Sequence, residues 1–355
     1  MDRKITTLLV LSIAVCVSAI DVKTYYSSLE GKSGQNLINA VKDVSYTSTV
    51  LSYGQVLPSN SGADFNEKGY IWDMYSDCTF TRNDNCIGNI KTFSDCQCYN
   101  REHSVPRSWW GYNENKTDAE QPMNTDLHHI IPTDGNANSQ RSAWAFDNVK
   151  GTPSWSNSAG AKLGGGMHLS GTVFEVPDQY KGDIARIYFY MLCRYNDQNF
   201  CQGGKGSQYF SYSNGKAAFT STAAKIMVMW ADGDPVSQKE VTRNNKVQQK
   251  QGNRNAFVDL PDLYQYIWGS KKGQVYHLPT ALDDIEEEYS YTVDVEGLTL
   301  TVNTTNDNIL AVYNMLGQVI YMQPVHAQQT QIEVPQAGIY LISVGNQAKK
   351  IQVAY

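Results

Sequence analysis

The feature that most constrains this chain is a change of hydrophobic pattern near residue 290. Beyond it apolar and polar residues alternate: Leu298-Thr299-Leu300-Thr301-Val302, then residues 309–313, 318–321 and 338–344, then Lys350-Ile351-Gln352-Val353. Successive side chains of a strand leave opposite faces, so a period of two marks strands with one buried face. Short strands at this spacing, with turns such as Asn314-Met315-Leu316-Gly317, predict a small all-β sandwich over residues 290–355. Before it stands Asp283-Asp284-Ile285-Glu286-Glu287-Glu288. So dense a run of acids stays solvated, which predicts a linker over residues 283–289.

Residues 20–282 mix periods and predict an α+β body with long loops. Ile184, Ile187, Tyr188 and Met191 share one face of a predicted helix over residues 183–195. Residues 223–230 and 237–249 predict two more helices, joined by the turn Asp232-Gly233-Asp234-Pro235, and Gly164-Gly165-Gly166 predicts a loop. With 41% hydrophobic residues the chain can bury a core, and its formal charge of −6 excludes a broadly basic nucleic-acid coat. A locally positive cleft remains compatible with that charge.

Met1-Asp2-Arg3-Lys4, an apolar run over residues 5–17 and the small-residue end Val17-Ser18-Ala19 have the form of an export signal over residues 1–19. The run is too short to span a bilayer, and nothing after it approaches that length, so no membrane span is expected. Cys16 leaves with the signal. The other six cysteines, in an exported chain, predict disulfides. Cys193 and Cys201, close in sequence and remote from the rest, are expected to pair. Cys78, Cys86, Cys96 and Cys98 admit three pairings. A zinc site is the rival reading, but Cys96-x-Cys98 is tighter than a zinc knuckle.

The densest chemistry lies between residues 101 and 142. Glu102-His103-Ser104-Val105-Pro106 offers a hard carboxylate oxygen and an imidazole that can take a proton from water. Leu127-His128-His129-Ile130-Ile131-Pro132 reads as a strand, so its two histidines point to opposite faces, with His128 expected in the site. Gly135-Asn136-Ala137-Asn138-Ser139-Gln140-Arg141-Ser142 enters a helix that carries Asn138, a neutral oxygen donor, three positions before Arg141.

These pieces resemble the endonuclease I family, exported nucleases of the ββα-metal class. Further matches are Tyr70-Ile71-Trp72-Asp73-Met74-Tyr75-Ser76, Gly182-Asp183-Ile184-Ala185-Arg186-Ile187-Tyr188-Phe189-Tyr190-Met191 and Gln251-Gly252-Asn253-Arg254-Asn255, so the likeness covers about residues 45–270 in order. The resemblance implies a ββα-metal fold and a sugar-nonspecific endonuclease that acts on DNA and RNA, leaving 5′-phosphates. It implies His103 as general base, Glu102 and Asn138 as ligands of one Mg²⁺ (with Mn²⁺ or Ca²⁺ as substitutes), and a monomer. Relatives carry a phosphate-stabilising Arg between the two His segments; here residues 111–125 hold only Lys116, leaving Arg107 or Arg141 for that role. Arg141 could touch phosphate or pin the loop through a salt bridge. Ala256 stands where many relatives have Pro. Lys239, Arg243, Lys246, Lys250 and Arg254 form a basic stretch, with Lys246, Lys250 and Arg254 expected to meet the substrate. The alternative is a non-catalytic surface protein that binds nucleic acid or glycan on a nuclease-like body. Residues 290–355, with Ala311-Val312-Tyr313-Asn314-Met315-Leu316-Gly317 and Gly338-Ile339-Tyr340-Leu341, resemble the C-terminal sorting domain of type IX secretion. That implies the type IX machinery as partner and a secreted or surface-held product.

Overall fold

The computed structural model describes residues 21–279, apart from 47–48, 67 and 87–92, and residues 291–354, apart from 305–307, 315–317, 327–328 and 345–346. The expected signal and acidic linker lie outside the described residues. The chain divides into two compact units, residues 1–278 and 279–355.

In the first unit the long helices are Lys181–Arg194, Ser221–Gly233 and Gln238–Gln251. The last has local reasons to start and stop where it does. The Ser237 hydroxyl accepts from the Glu240 amide while the Glu240 carboxylate accepts from the Ser237 amide, and Gly252 ends the helix in the left-handed region at φ 83°. The Lys181–Arg194 helix departs from its expected one-sided pattern, since residues 182–194 are all buried. Its polar groups stay inside because they are paired. Arg186 forks onto both carboxylate oxygens of Glu240 at 2.5 and 2.8 Å, and Asp183 meets Lys239 at 2.5 Å. Gly182 is required by packing: a Cβ there would collide with the Asp234 carbonyl.

The Gly164-Gly165-Gly166 segment is not the expected loop. Lys162–Gly165 is a strand, in a four-stranded sheet with Trp155–Ser156, Thr172–Glu175 and Ala145–Phe146. Close approach explains the glycines, since a Cβ at Gly164 would lie 2.7 Å from the Val149 side chain.

Two other strands frame the chemistry. Strand β1 (Tyr99–His103) pairs antiparallel with β2 (Ile130–Asp134), placing Glu102 opposite Ile131 and His103 opposite Ile130. Strand β2 runs directly into the helix Gly135–Arg141, whose cap is the Asp134 carboxylate accepting from the Ala137 amide at 2.9 Å. The order is thus strand, strand, helix, as expected.

Interleaved disulfides Cys78–Cys96 and Cys86–Cys98 brace this junction. The Cys96 amide donates to Asp134 Oδ1 at 3.0 Å, and the Gly135 amide donates to the Cys98 carbonyl at 2.9 Å. The expected Cys193–Cys201 bridge is absent and both are free thiols. Cys193 lies on a helix buried on all sides, with its side chain in the apolar core, whereas Cys201 donates to the Phe210 carbonyl at 3.1 Å. Nearness in sequence does not bring the two sulfurs together when one is committed to a helix interior. Thiol labelling of the native protein is therefore expected to reach Cys201 first, and denaturation should expose Cys193 as well. Finding neither reactive in denaturant would restore the bridge.

The second unit packs a three-stranded antiparallel sheet (Tyr291–Glu296, Thr299–Thr304, Gln329–Glu333) and a four-stranded one (Asn308–Asn314, Val319–Val325, Gly338–Val344, Gln347–Val353) around a core of its own. Leu300, Val302, Leu310, Val312, Ile342 and Val344 are buried, while Leu298 is only partly so. The Tyr291 hydroxyl ties the sheets together by donating to the Ile342 carbonyl at 2.9 Å.

Candidate active site

Glu102 is carried inward by β1 and is almost fully buried. One of its oxygens is already engaged: Oε1 accepts from the Tyr75 hydroxyl at 3.0 Å and lies 3.0 Å from Arg141 Nη1. Among the described residues no hydrogen bond reaches Oε2. Burial pushes this carboxyl up to about 7, although Arg141 and Tyr75 pull it down.

Asn138 lies on the adjoining helix. Its Nδ2 donates to the Arg101 carbonyl at 3.2 Å, one residue before Glu102, which leaves Oδ1 on the other side of the amide. His103 ends β1, partly exposed. Its Nε2 meets the Asn124 carbonyl at 3.1 Å. A carbonyl can only accept, so Nε2 carries the proton and Nδ1 keeps the lone pair. Burial, His129 and Arg107 hold the pKa of His103 well below its usual value, so the ring is neutral at pH 7.

The ring of His103 stacks on Tyr53 at 6.0 Å and meets His129 edge-on at 5.4 Å. Tyr53 also carries Arg101 and Arg107 over its face, at 3.7 and 4.4 Å. Arg107 is further held by Tyr112 at 4.3 Å and by Nε donating to Asn124 Oδ1 at 2.7 Å. Asn124 is itself fixed, since its Nδ2 donates to Asp118, whose other oxygen accepts from the Tyr53 amide at 2.9 Å. One loop residue thus sets both the histidine tautomer and the arginine position.

Comparison with known proteins places this arrangement. A family model described as Endonuclease I matches residues 31–262, more than half of the chain and the whole of the site above. The chain belongs to the endonuclease I family. A second model, described as a secretion system C-terminal sorting domain, matches residues 295–354. Two curated relatives are named extracellular ribonuclease. The one from Bacillus amyloliquefaciens is 30% identical over 267 residues, covering 72% of this chain and 82% of the relative. The one from Bacillus subtilis (strain 168) is 29% identical over 255 residues, covering 70% and 79%. A protein named Endonuclease-1 from Buchnera aphidicola subsp. Baizongia pistaciae is 28% identical over 138 residues, covering 39% of this chain and 47% of its own length.

The endonuclease I site draws on segments whose purpose was not legible in sequence. Asp73 accepts from the Asp134 amide at 2.7 Å, which holds the start of the helix, and Tyr75 orients Glu102. Tyr188 donates to the Ser104 carbonyl at 2.7 Å from behind. Tyr53, Asp118 and Asn124 give no signal in the sequence, because loops of ordinary polar residues carry no periodicity.

Several expected site residues lie elsewhere. His128 is buried, its Nε2 3.4 Å from the Asn253 carbonyl and its ring against Tyr190, and its neighbour His129 is the one that packs on His103. Residues 127–129 form a turn rather than a strand, so the alternation used to orient them does not apply. Arg141, expected among the catalytic groups, is wholly buried. Besides Glu102 it donates to the carbonyls of His103, Ser104 and Ser142, so it pins the junction and does not reach solvent. Arg254 forks onto Asp259 at 2.6 Å through two nitrogens and is also buried. Arg243 pairs with Asp64, and Lys246 donates to the Phe65 carbonyl at 2.8 Å beside Trp72. Of the expected basic stretch, Lys250 is exposed, so it does not form a continuous phosphate track.

The donor set fits a hard divalent cation. Glu102 Oε2 and Asn138 Oδ1 are oxygen donors that no hydrogen bond occupies among the described residues. No cluster of three or more His, Cys, Asp or Glu that could hold a metal occurs among the described residues.

Proposed function

We propose that this chain is an exported, divalent-metal-dependent endonuclease that hydrolyses phosphodiester bonds of DNA and RNA, leaving 5′-phosphates. The observation that carries this reading is the His103–Asn124 contact: it leaves Nδ1 of a neutral, partly exposed imidazole free on the strand that also carries Glu102. His103 takes the proton of the attacking water at Nδ1. Arg107, clamped between two tyrosines with its Nη atoms free of hydrogen bonds among the described residues, binds the scissile phosphate and takes the place of the arginine missing from residues 111–125. Glu102 Oε2 and Asn138 Oδ1 would hold Mg²⁺ (or Mn²⁺ or Ca²⁺), which supplies charge neutralisation at the phosphate and the departing 3′-oxygen. Arg141 holds Glu102 in place from beneath. RNA as a substrate is supported by the names of the two Bacillus relatives, and DNA by the endonuclease name of the third.

A plasmid-nicking assay tests the reading. Activity is expected with Mg²⁺ and lost in EDTA, and Glu102→Ala and Asn138→Ala should each lower it by about tenfold or more at limiting Mg²⁺. Their double variant should lose less than the sum, because both act on one ion. Full activity in chelator would remove the proposal.

We also propose that residues 1–19 direct export, that residues 283–289 link the units, and that residues 290–355 address the chain to the type IX machinery. The site is built wholly from residues before 260. Deleting residues 290–355 is therefore expected to leave the purified protein active and to hold it inside the producing cell. An inactive truncated protein would place the tail in the catalytic fold; an active one that still reaches the medium would refute the sorting role.

A further inference from the structure

Arg101 has no part in the chemistry proposed above, yet it stands inside the site. It precedes Glu102 on β1, and its carbonyl accepts from Asn138 Nδ2 at 3.2 Å. Alternation along the strand sends its side chain to the same side as that of His103, two residues on. The two side chains do meet the same group. The guanidinium carbon of Arg101 lies 3.7 Å from the centre of the Tyr53 ring, and the His103 imidazole stacks on that ring. Arg107 lies over it as well, at 4.4 Å. One tyrosine thus gathers the proposed base, the proposed phosphate-binding arginine and a second arginine.

Two guanidiniums on one ring repel each other, and no acid offsets them. Among the described residues neither pairs with a carboxylate: Glu102 is taken by Arg141, and Asp118 is spent on the Asn124 side chain and the Tyr53 amide. Burial and the nearby charge of Arg107 hold the pKa of Arg101 below its usual value, as befits a cation without a counter-charge. The side chain is also held in place. Its Nη1 donates to the Tyr53 carbonyl at 2.5 Å, and Tyr53 is itself anchored through its amide on Asp118 at 2.9 Å. Nε is buried without a partner, whereas Nη2, which makes no hydrogen bond among the described residues, keeps open surface on this half-buried side chain.

We infer that Arg101 binds the phosphate next to the scissile one, so that the Tyr53 ring carries a two-phosphate site: Arg107 for the phosphate that is cut and Arg101 for its neighbour on the same strand. The inference rests on the nuclease reading above and names what that site selects, a second backbone phosphate. The spacing suits it. Two residues along a strand span about 6–7 Å, comparable to the step between neighbouring phosphates of one nucleic-acid strand. A planar guanidinium with an open edge is matched to phosphate oxygens. The contact carries no sequence information. It places positive charge at the cut in a chain whose formal charge is −6, where the later basic stretch is largely spent on internal partners.

Three thymidine dinucleotides separate this role from a structural one: TpT, which has only the scissile phosphate, and pTpT and TpTp, which add a phosphate at the 5′ or the 3′ end. With Mg²⁺ and the full-length wild type, one of the two phosphorylated forms is expected to show a kcat/KM about tenfold above that of TpT, the worth of one charge-assisted contact. In the Arg101→Ala protein the three rates should converge, and Arg101→Lys should recover part of the difference because it keeps the charge. A residue that only propped Tyr53 would lower all three rates alike and leave their ratio unchanged. Binding of a fluorescent single-stranded oligothymidylate in EDTA gives a second measure, which decides alone if the dinucleotides prove too short to be cut. The slope of log Kd against log salt should fall by about 0.7 in Arg101→Ala, the share of one phosphate of a single strand, and stay at the wild-type value in Arg101→Lys. Equal cutting of the three dinucleotides by wild type, a ratio that survives Arg101→Ala, or an unchanged salt slope would overturn the inference. A wild type that nicks plasmid without these effects loses only the second phosphate site; one that shows the slope change but nicks no plasmid loses the nuclease reading instead.

Discussion

His103→Ala is expected to slow phosphodiester cleavage by about 10²–10⁴-fold, the usual contribution of a positioned general base, while the protein stays folded. The rate effect is large because neither neighbouring histidine can take over. His129 is fully buried and its Nε2 is spent on the Met123 carbonyl, and His128 faces the interior. The stability effect is small because the ring is partly exposed and makes one hydrogen bond, to Asn124, besides its contact with Tyr53. Unfolding should stay within about 1 kcal/mol of wild type. Tyr53→Ala should act on the same residue indirectly, by removing the ring against which the imidazole and both arginines stack, so it should lower turnover without removing the base. A His103→Ala protein that cuts within tenfold of wild type would refute the assignment.

Arg141→Ala is expected to have the largest effect on stability. Its guanidinium lies 3.0 Å from Glu102, over the ring of Phe146 at 4.6 Å, and donates to three backbone carbonyls, with side-chain exposures of 1% and 5% for the ion pair. Removing one member of so enclosed a pair strands a carboxylate and leaves carbonyls without donors. The expected cost is about 3–5 kcal/mol, or a fall in melting temperature on the order of 10 °C for a unit of this size. Arg141→Lys should recover only part of this, because an ammonium cannot reach the carboxylate and the carbonyls with one planar fork. Cleavage should fall as well, since Glu102 loses the neighbour that sets its position. Calorimetry showing Arg141→Ala within 2 °C of wild type, a shift of about 1 kcal/mol at most, would mean that the pair contributes little and that Tyr75 holds Glu102 without it.

What the sequence determined by itself is local in origin. The periods of 3.6 and of two placed the helices Lys181–Arg194, Ser221–Gly233 and Gln238–Gln251 and the C-terminal strands, because each period follows from backbone geometry over a few residues. The spacing of Glu102, His103 and Asn138 placed those groups around one strand–strand–helix junction, since a residue and its close neighbours on a regular element have fixed relative directions. Partner choice belonged to the tertiary structure. Cys193 and Cys201 are neighbours in sequence, yet helix burial separates them, while Cys78 reaches across eighteen residues to Cys96. Four residues of the basic stretch found partners up to about 180 residues away, Arg243 on Asp64 and Lys246 on the Phe65 carbonyl among them, and so stopped being a surface charge. His128 and His129 exchanged places because one turn broke the alternation that a strand would have kept. Tyr53, Asp118 and Asn124 joined the site from loops whose conformation depends on what they pack against. A local rule sees only the next few residues, whereas burial and charge pairing are settled by whichever distant segment arrives at the same place.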